Sequence, residues 1–148
     1  LIHDAVRPFV RMSRVSAVIE TTRLHGASSL ALSITDTVRR IAGEPDGEII
    51  FGETVPREEL VRVQTPQGFR PEWLRKAHDA ADKAGIHATD DVDLVQRQGH
   101  RVFPVTGSVM NIKITTPEDW DTANRYWPDW MEILEMEERE QIVGQETR

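Results

Sequence analysis

VRVQTPQGFRPEWLRKAHDAADKAG, residues 61–85, holds one complete unit of secondary structure. Val61 to Val63 is a short β-prone run that leads into the proline-bearing turn QTPQGF. From Pro71 the residues Trp73, Ala77, Ala80, Ala81 and Ala84 fall on one helical face, and Gly85 stands where a helix ends. Proline just inside the start and glycine just past the end is the asymmetry expected of a helix. A strand therefore feeds a helix.

The same alternation extends in both directions. Leu1 and Ile2 read as the end of a buried strand, followed by a loop closed by Pro8. Val15, Val18 and Ile19 give a helix over 13–25 that stops at Gly26, and the apolar run Ser29 to Ile34 suits a buried strand. On the other side, Thr89 stands as an N-cap before Asp90 and Asp91. Strands are expected over 101–105 and 110–115, and a helix from Pro117 to about Tyr126. Pro128 should end that helix; Asp129 with Glu132 resembles a capping box, so 129–142 reads as a separate acidic helix, frayed beyond Gly144. The pattern predicts a layered α/β fold with a mainly parallel sheet, residues 1–127 forming one domain and 128–148 an acidic helix or tail.

Residues 36–60 break the alternation. Two β-like stretches, 38–41 and 48–55, flank Pro45, Asp46 and Gly47, so this segment reads as a hairpin. A two-stranded hairpin with so few apolar residues is marginal alone, which makes a partner subunit its natural support.

Composition narrows the function. With 148 residues, 39% hydrophobic and 29% charged, the chain has the make-up of a globular domain. A net charge of −7 argues against broad electrostatic binding to nucleic acid, and much of the acidity is terminal. The absence of cysteine excludes disulfides and thiolate chemistry and fits a reducing cytoplasm. No apolar run of membrane-spanning length and no secretory leader is expected.

In parallel α/β sheets ligands gather at the carboxyl ends of strands, which singles out HDAVRP at 3–8, VQTPQ at 63–67, ATDD at 88–91 and NIKIT at 111–115. Each also has a plain structural reading: Asp4 can pair with Arg7, QTPQ can be a proline turn, and Thr89-Asp90-Asp91 can be a helix cap. Lys113, flanked by Ile112 and Ile114, points away from both, either to solvent on a sheet edge or into a pocket, with the pocket the favoured reading. Thr37 and Arg57 on the hairpin are further polar candidates. The five histidines show no zinc spacing, and neither a GxSxG elbow nor a glycine-rich phosphate loop occurs.

HDAVRPFV, ITDTVRR, PREELVRVQTPQGF, ATDD and NIKITTPED, in that order, resemble the 2-C-methyl-D-erythritol 4-phosphate cytidylyltransferase family over residues 1 to about 125. The resemblance implies a Rossmann-like nucleotidyltransferase that joins CTP to methylerythritol phosphate with Mg²⁺ and releases pyrophosphate. By the same resemblance Asp4, with a role toward the metal, Lys113 and Arg57 fall on catalytic positions. Ala5, Arg7, Thr37, Arg57, Thr65, Thr89 and Lys113 fall on substrate-binding positions. Thr37 and Arg57 match an arm that reaches into the other subunit of a homodimer.

The family's glycine-rich CTP loop lies upstream of the HDAxRP motif, so the chain is expected to carry the sugar-phosphate half and to be inactive alone. A ribitol-type or other pentitol-phosphate cytidylyltransferase is the nearest alternative. A non-catalytic dimerisation module is another.

Overall fold

The computed structural model describes residues 1–146, with side chains as far as Arg139. Helix α1 spans Met12–His25 and strand β1 Ala27–Ser33. Strands β2 (Val38–Gly43) and β3 (Ile50–Val55) follow, joined through a 3₁₀ turn at Pro45–Gly47. After a second such turn at Arg57–Glu59 come β4 (Val61–Phe69), α2 (Pro71–Ala84), α3 (Asp91–Arg97), β5 (Phe103–Thr106) and α4 (Pro117–Glu146).

The class is α/β, with helices laid on a sheet ordered β4-β1-β5. That sheet is mixed rather than mainly parallel: β1 is parallel to β5 but antiparallel to β4. β2 and β3 pair as the expected antiparallel hairpin, a separate two-stranded sheet. Its outer residues Ile41, Ile50 and Phe51 are exposed. No helix among the described residues is long and apolar enough to cross a membrane.

Two clusters build the interior. Ala27, Phe69, Ala77, Ala81, Leu94 and Val95 join β1 and β4 to α2 and α3. The small alanine face of α2 allows this close approach. Gly26 ends α1 at φ 92°, and a Cβ there would run into the Trp73 ring, so the position demands glycine twice over. The second cluster sets Phe9 against Ala123 and Trp130 of α4.

Several expectations are corrected. Leu1 and Ile2 are exposed, not buried, although Ile2 pairs with Gln67 by two backbone hydrogen bonds. QTPQGF is part of β4 itself. Ser29 pairs with Gln67 and Ala31 with Val63, so three residues, 64–66, stand opposite Leu30 alone. This bulge also accommodates Pro66, which has no N–H to give a ladder. The N-cap of α3 is Asp90, whose Oδ1 accepts the Asp93 N–H at 2.9 Å, one residue past the expected Thr89.

Residues 110–115 form no strand; their only backbone link to the first loop is the Ile114 N–H donating to the Val6 carbonyl at 2.9 Å. Pro128 lies inside one continuous 30-residue helix instead of dividing two. An interior proline costs about 3 kcal/mol, but Tyr126 on one side of it and Trp130 on the other both pack edge-on against Phe9. Tertiary contacts that straddle the proline hold the helix through it. The fraying expected beyond Gly144 concerns residues that, at 147–148, lie outside those described.

Candidate functional site

Three irregular segments meet midway along β4: the turn at 3–7, the β4 bulge, and the stretch 110–114. They line a cleft of about 380 Å³ that Thr89, Asp90 and Asp91 close from the opposite side. The cleft brings together Asp4, Arg7, Thr65, Thr89 and Lys113, five of the residues singled out from sequence.

Asp4 is its electrostatic centre. Oδ2 accepts from Arg7 Nε at 3.1 Å and stands 3.3 Å from Lys113 Nζ. Partial burial opposes ionisation, but the bonds from Arg7 and Lys113 outweigh it and hold the Asp4 carboxyl below its ordinary 3.8. Oδ1 has no hydrogen-bond partner among the described residues. Arg7 also donates Nη1 to the Asn111 carbonyl at 2.8 Å, so one guanidinium ties the turn to the segment carrying Lys113.

His3 fixes the turn from behind. Its Nε2 lies 3.0 Å from the Arg7 carbonyl, which can only accept, so Nε2 donates there, and Nδ1 lies within hydrogen-bond distance of the Thr65 hydroxyl at 2.8 Å. The same hydroxyl oxygen accepts the Asp4 N–H at 2.9 Å. Thr65 is thereby held at the cleft wall by both neighbours.

Gln64, Gln67 and Asn111 lie in clusters singled out from sequence but carry no individual role there, yet they assemble the site. Gln64, buried, donates Nε2 to the Ser108 and Asn111 carbonyls and accepts the Ser108 N–H on Oε1. Asn111, 1% exposed, donates Nδ2 to the Thr65 carbonyl at 2.8 Å, while its Oδ1 has no partner among the described residues. Gln67 reaches Asp90 Oδ2 at 3.4 Å across the cleft. Buried amides between Val63 and Thr65, or beside Ile112, carry no local signature; only their burial in the fold marks them.

Ala5 adjoins Asp4 in the turn, exposed and outside the cleft lining. Thr37 and Arg57 are also exposed and stand apart from the cleft; Arg57 donates Nη1 to the Thr35 carbonyl at 2.7 Å, bracing the base of the hairpin. No group of three or more metal-ligating side chains forms among the described residues.

The chain matches the family model described as IspD, 2-C-methyl-D-erythritol 4-phosphate cytidylyltransferase, over residues 1–128. The protein of that name from Salinibacter ruber is 51% identical over 135 residues, 91% of this chain and 55% of its own length. A bifunctional enzyme IspD/IspF from Desulforudis audaxviator is 48% identical over 119 residues, 80% of this chain and 29% of its own length. Among solved structures, the 2-C-methyl-D-erythritol 4-phosphate cytidylyltransferase from Thermus thermophilus superposes with a TM-score of 0.74 at 42% identity, covering 83% of this chain and 58% of that one. The chain thus spans about half the length of relatives such as the Salinibacter ruber protein.

Proposed function

The chain belongs to the 2-C-methyl-D-erythritol 4-phosphate cytidylyltransferase family, and on that premise we propose that it forms the sugar-phosphate side of such an enzyme. In the proposed reaction a phosphate oxygen of methylerythritol 4-phosphate attacks the α-phosphorus of CTP. The bond to the bridging oxygen breaks and pyrophosphate leaves, giving CDP-methylerythritol for isoprenoid biosynthesis. The observation that carries the reading is the convergence of Arg7 and Lys113 on one oxygen of Asp4 inside the cleft.

The residue types suit that chemistry. A phosphate monoester with a second pKa of about 6 is largely dianionic near neutrality and needs no general base. It needs cations at fixed positions, because a dianion approaching a triphosphate is repelled. Arg7 is locked by Asp4 and by the Asn111 carbonyl, so it offers its remaining N–H groups without reorganising. Lys113, about half exposed, is free to exchange Asp4 for a phosphate oxygen. Thr65 and Thr89 give the sugar hydroxyls polar partners in the cleft lining.

Magnesium belongs to the proposal. The cleft holds two cations but three carboxylates, Asp4, Asp90 and Asp91, so a phosphate entering it gains from a divalent ion. Asp4 fits the mode in which one carboxylate shares the ion with phosphate oxygens: it is held ionised, and Oδ1 is without a partner among the described residues. When bound, Mg²⁺ would supply charge neutralisation on the transferring phosphates. A homodimer is also proposed, in which Thr37 and Arg57 on the exposed hairpin serve the partner's cleft, since they stand away from their own. A cytoplasmic setting is proposed as well, one that the cysteine-free sequence fits.

The test joins this chain to the part of the Salinibacter ruber relative that it does not span and measures pyrophosphate release from CTP. Release that depends on methylerythritol 4-phosphate, with ribitol 5-phosphate a poor substitute, is the expected result. Equal turnover of ribitol 5-phosphate would overturn the substrate assignment, and release with neither would favour a non-catalytic module.

A further inference from the structure

We propose that the second half of α4, residues 129–139, is the platform that positions Arg7 and Lys113, with Trp130 and Glu137 as its positioning residues; this rests on the function proposed above. The segment lies beyond the family match, which ends at residue 128. Past that point Trp130 and Glu137 are nonetheless buried, at 5% and 8% exposure.

Both cation-bearing segments lie against this helix. Phe9, two residues after Arg7 and 1% exposed, meets the rings of Tyr126 and Trp130 edge-on at 6.1 and 5.7 Å. Met110, Ile112 and Ile114 pack on the same cluster of Phe9, Ala123 and Trp130. The alternate residues Asn111 and Lys113 then turn the other way, the Asn111 amide to the Thr65 carbonyl and Lys113 to Asp4, while the Asn111 carbonyl accepts from Arg7. The period-two pattern at 110–114 works without a strand, because α4 supplies the surface that its apolar side faces.

Glu137 closes the arrangement. Its Oε1 accepts from Arg11 Nε at 3.0 Å and its Oε2 from the Met12 N–H at 3.3 Å. Arg11, at the N-cap of α1, offers no side-chain cap, so a carboxylate 125 residues further along the chain takes that place. Between Arg7 and Arg11 lie only Pro8, Phe9 and Val10, and Pro8 has a fixed φ. With Phe9 seated and Arg11 and Met12 clamped, Arg7 has little freedom to leave the cleft.

The experiment uses the 148-residue chain and its Glu137→Ala, Glu137→Gln, Trp130→Ala and Trp130→Phe variants. Two quantities are read: amide hydrogen exchange at Arg7 and Ile114, whose N–H groups bond Asp4 and Val6, and the dissociation constant for methylerythritol 4-phosphate. Glu137→Ala and Trp130→Ala should raise exchange at those two amides and weaken binding, each by about tenfold, while β1 and α2 keep their protection. Glu137→Gln keeps an acceptor for Met12 and should stay within about threefold of the parent. Should either alanine variant not fold, Trp130→Phe decides, being expected to show the same two changes at a few-fold size. Unchanged exchange at Arg7 and Ile114 in the folded Glu137→Ala, Trp130→Ala or Trp130→Phe variants, or loss of protection spread evenly over the fold, would overturn the platform. A parent chain that binds no methylerythritol 4-phosphate would instead overturn the functional reading, and the exchange data would still judge the platform.

Discussion

Asp4→Asn removes the charge that Arg7 and Lys113 share, and its cost can be worked from the geometry. The Arg7 bond, at 3.1 Å with the arginine side chain 12% exposed, belongs with charge-assisted hydrogen bonds of about 1.5–3 kcal/mol. Lys113, at 3.3 Å and 48% exposed, resembles a surface pair and contributes less than about 1 kcal/mol. Asparagine still offers one neutral acceptor, so the net loss at pH 7 should be about 2 kcal/mol.

The sign of the pH dependence follows from the direction of the shift. Asp4 is held below its ordinary 3.8 in the folded chain, so its contribution is complete above that value and disappears as pH falls through the folded pKa. Urea unfolding of parent and variant from pH 7 down to pH 3 and below should show a stability gap of about 2 kcal/mol that narrows toward zero at the acid end. A gap that stays constant across this range would refute the argument, because it would mean that the Asp4 charge does not carry the interaction.

Three further outcomes are expected. Lys113→Ala should weaken binding of methylerythritol 4-phosphate by about 10- to 100-fold in calorimetry, while urea unfolding changes by less than about 1 kcal/mol. Arg57→Ala should abolish pyrophosphate release by the completed enzyme with little loss of stability, because among the described residues Arg57 holds the Thr35 carbonyl and an exposed contact with Glu58; unchanged turnover would count against the arm. Gly107→Ala would drive a Cβ into Gln64 Oε1, the acceptor for the Ser108 N–H, and should cost about 1–3 kcal/mol in a urea titration while disturbing the Asn111 segment.

Local signals were enough for elements whose ends are chemically marked. Pro71 and Gly85 bound α2 as written, Gly26 ends α1, and Pro45–Gly47 turns the hairpin. Where tertiary contacts decide, local rules misled. Pro128 stops a helix on propensity, but Tyr126 and Trp130 bury against Phe9 on both sides of it. The alternation at 110–115 is the pattern of a strand, yet it serves packing on α4 and the display of Lys113, with no ladder to join. Within the site, Asp4, Arg7, Thr65, Thr89 and Lys113 stand in clusters next to expected strands and on positions that match the family's motifs, and the fold brings them to one cleft. The roles of Gln64, Asn111 and Glu137 could not be read in this way, since what makes each of them matter is a partner 44, 46 or 126 residues away.

The most direct measurement is a titration of the isotope-labelled chain with methylerythritol 4-phosphate, followed residue by residue by NMR. Shifts concentrated at 3–7, 64–67, 89–91 and 111–113, lost in Arg7→Ala, are the predicted result. Saturable binding whose shifts fall on α2 and α3 away from Asp4, or which survives Arg7→Ala unchanged, would contradict the assignment of the cleft to the sugar phosphate.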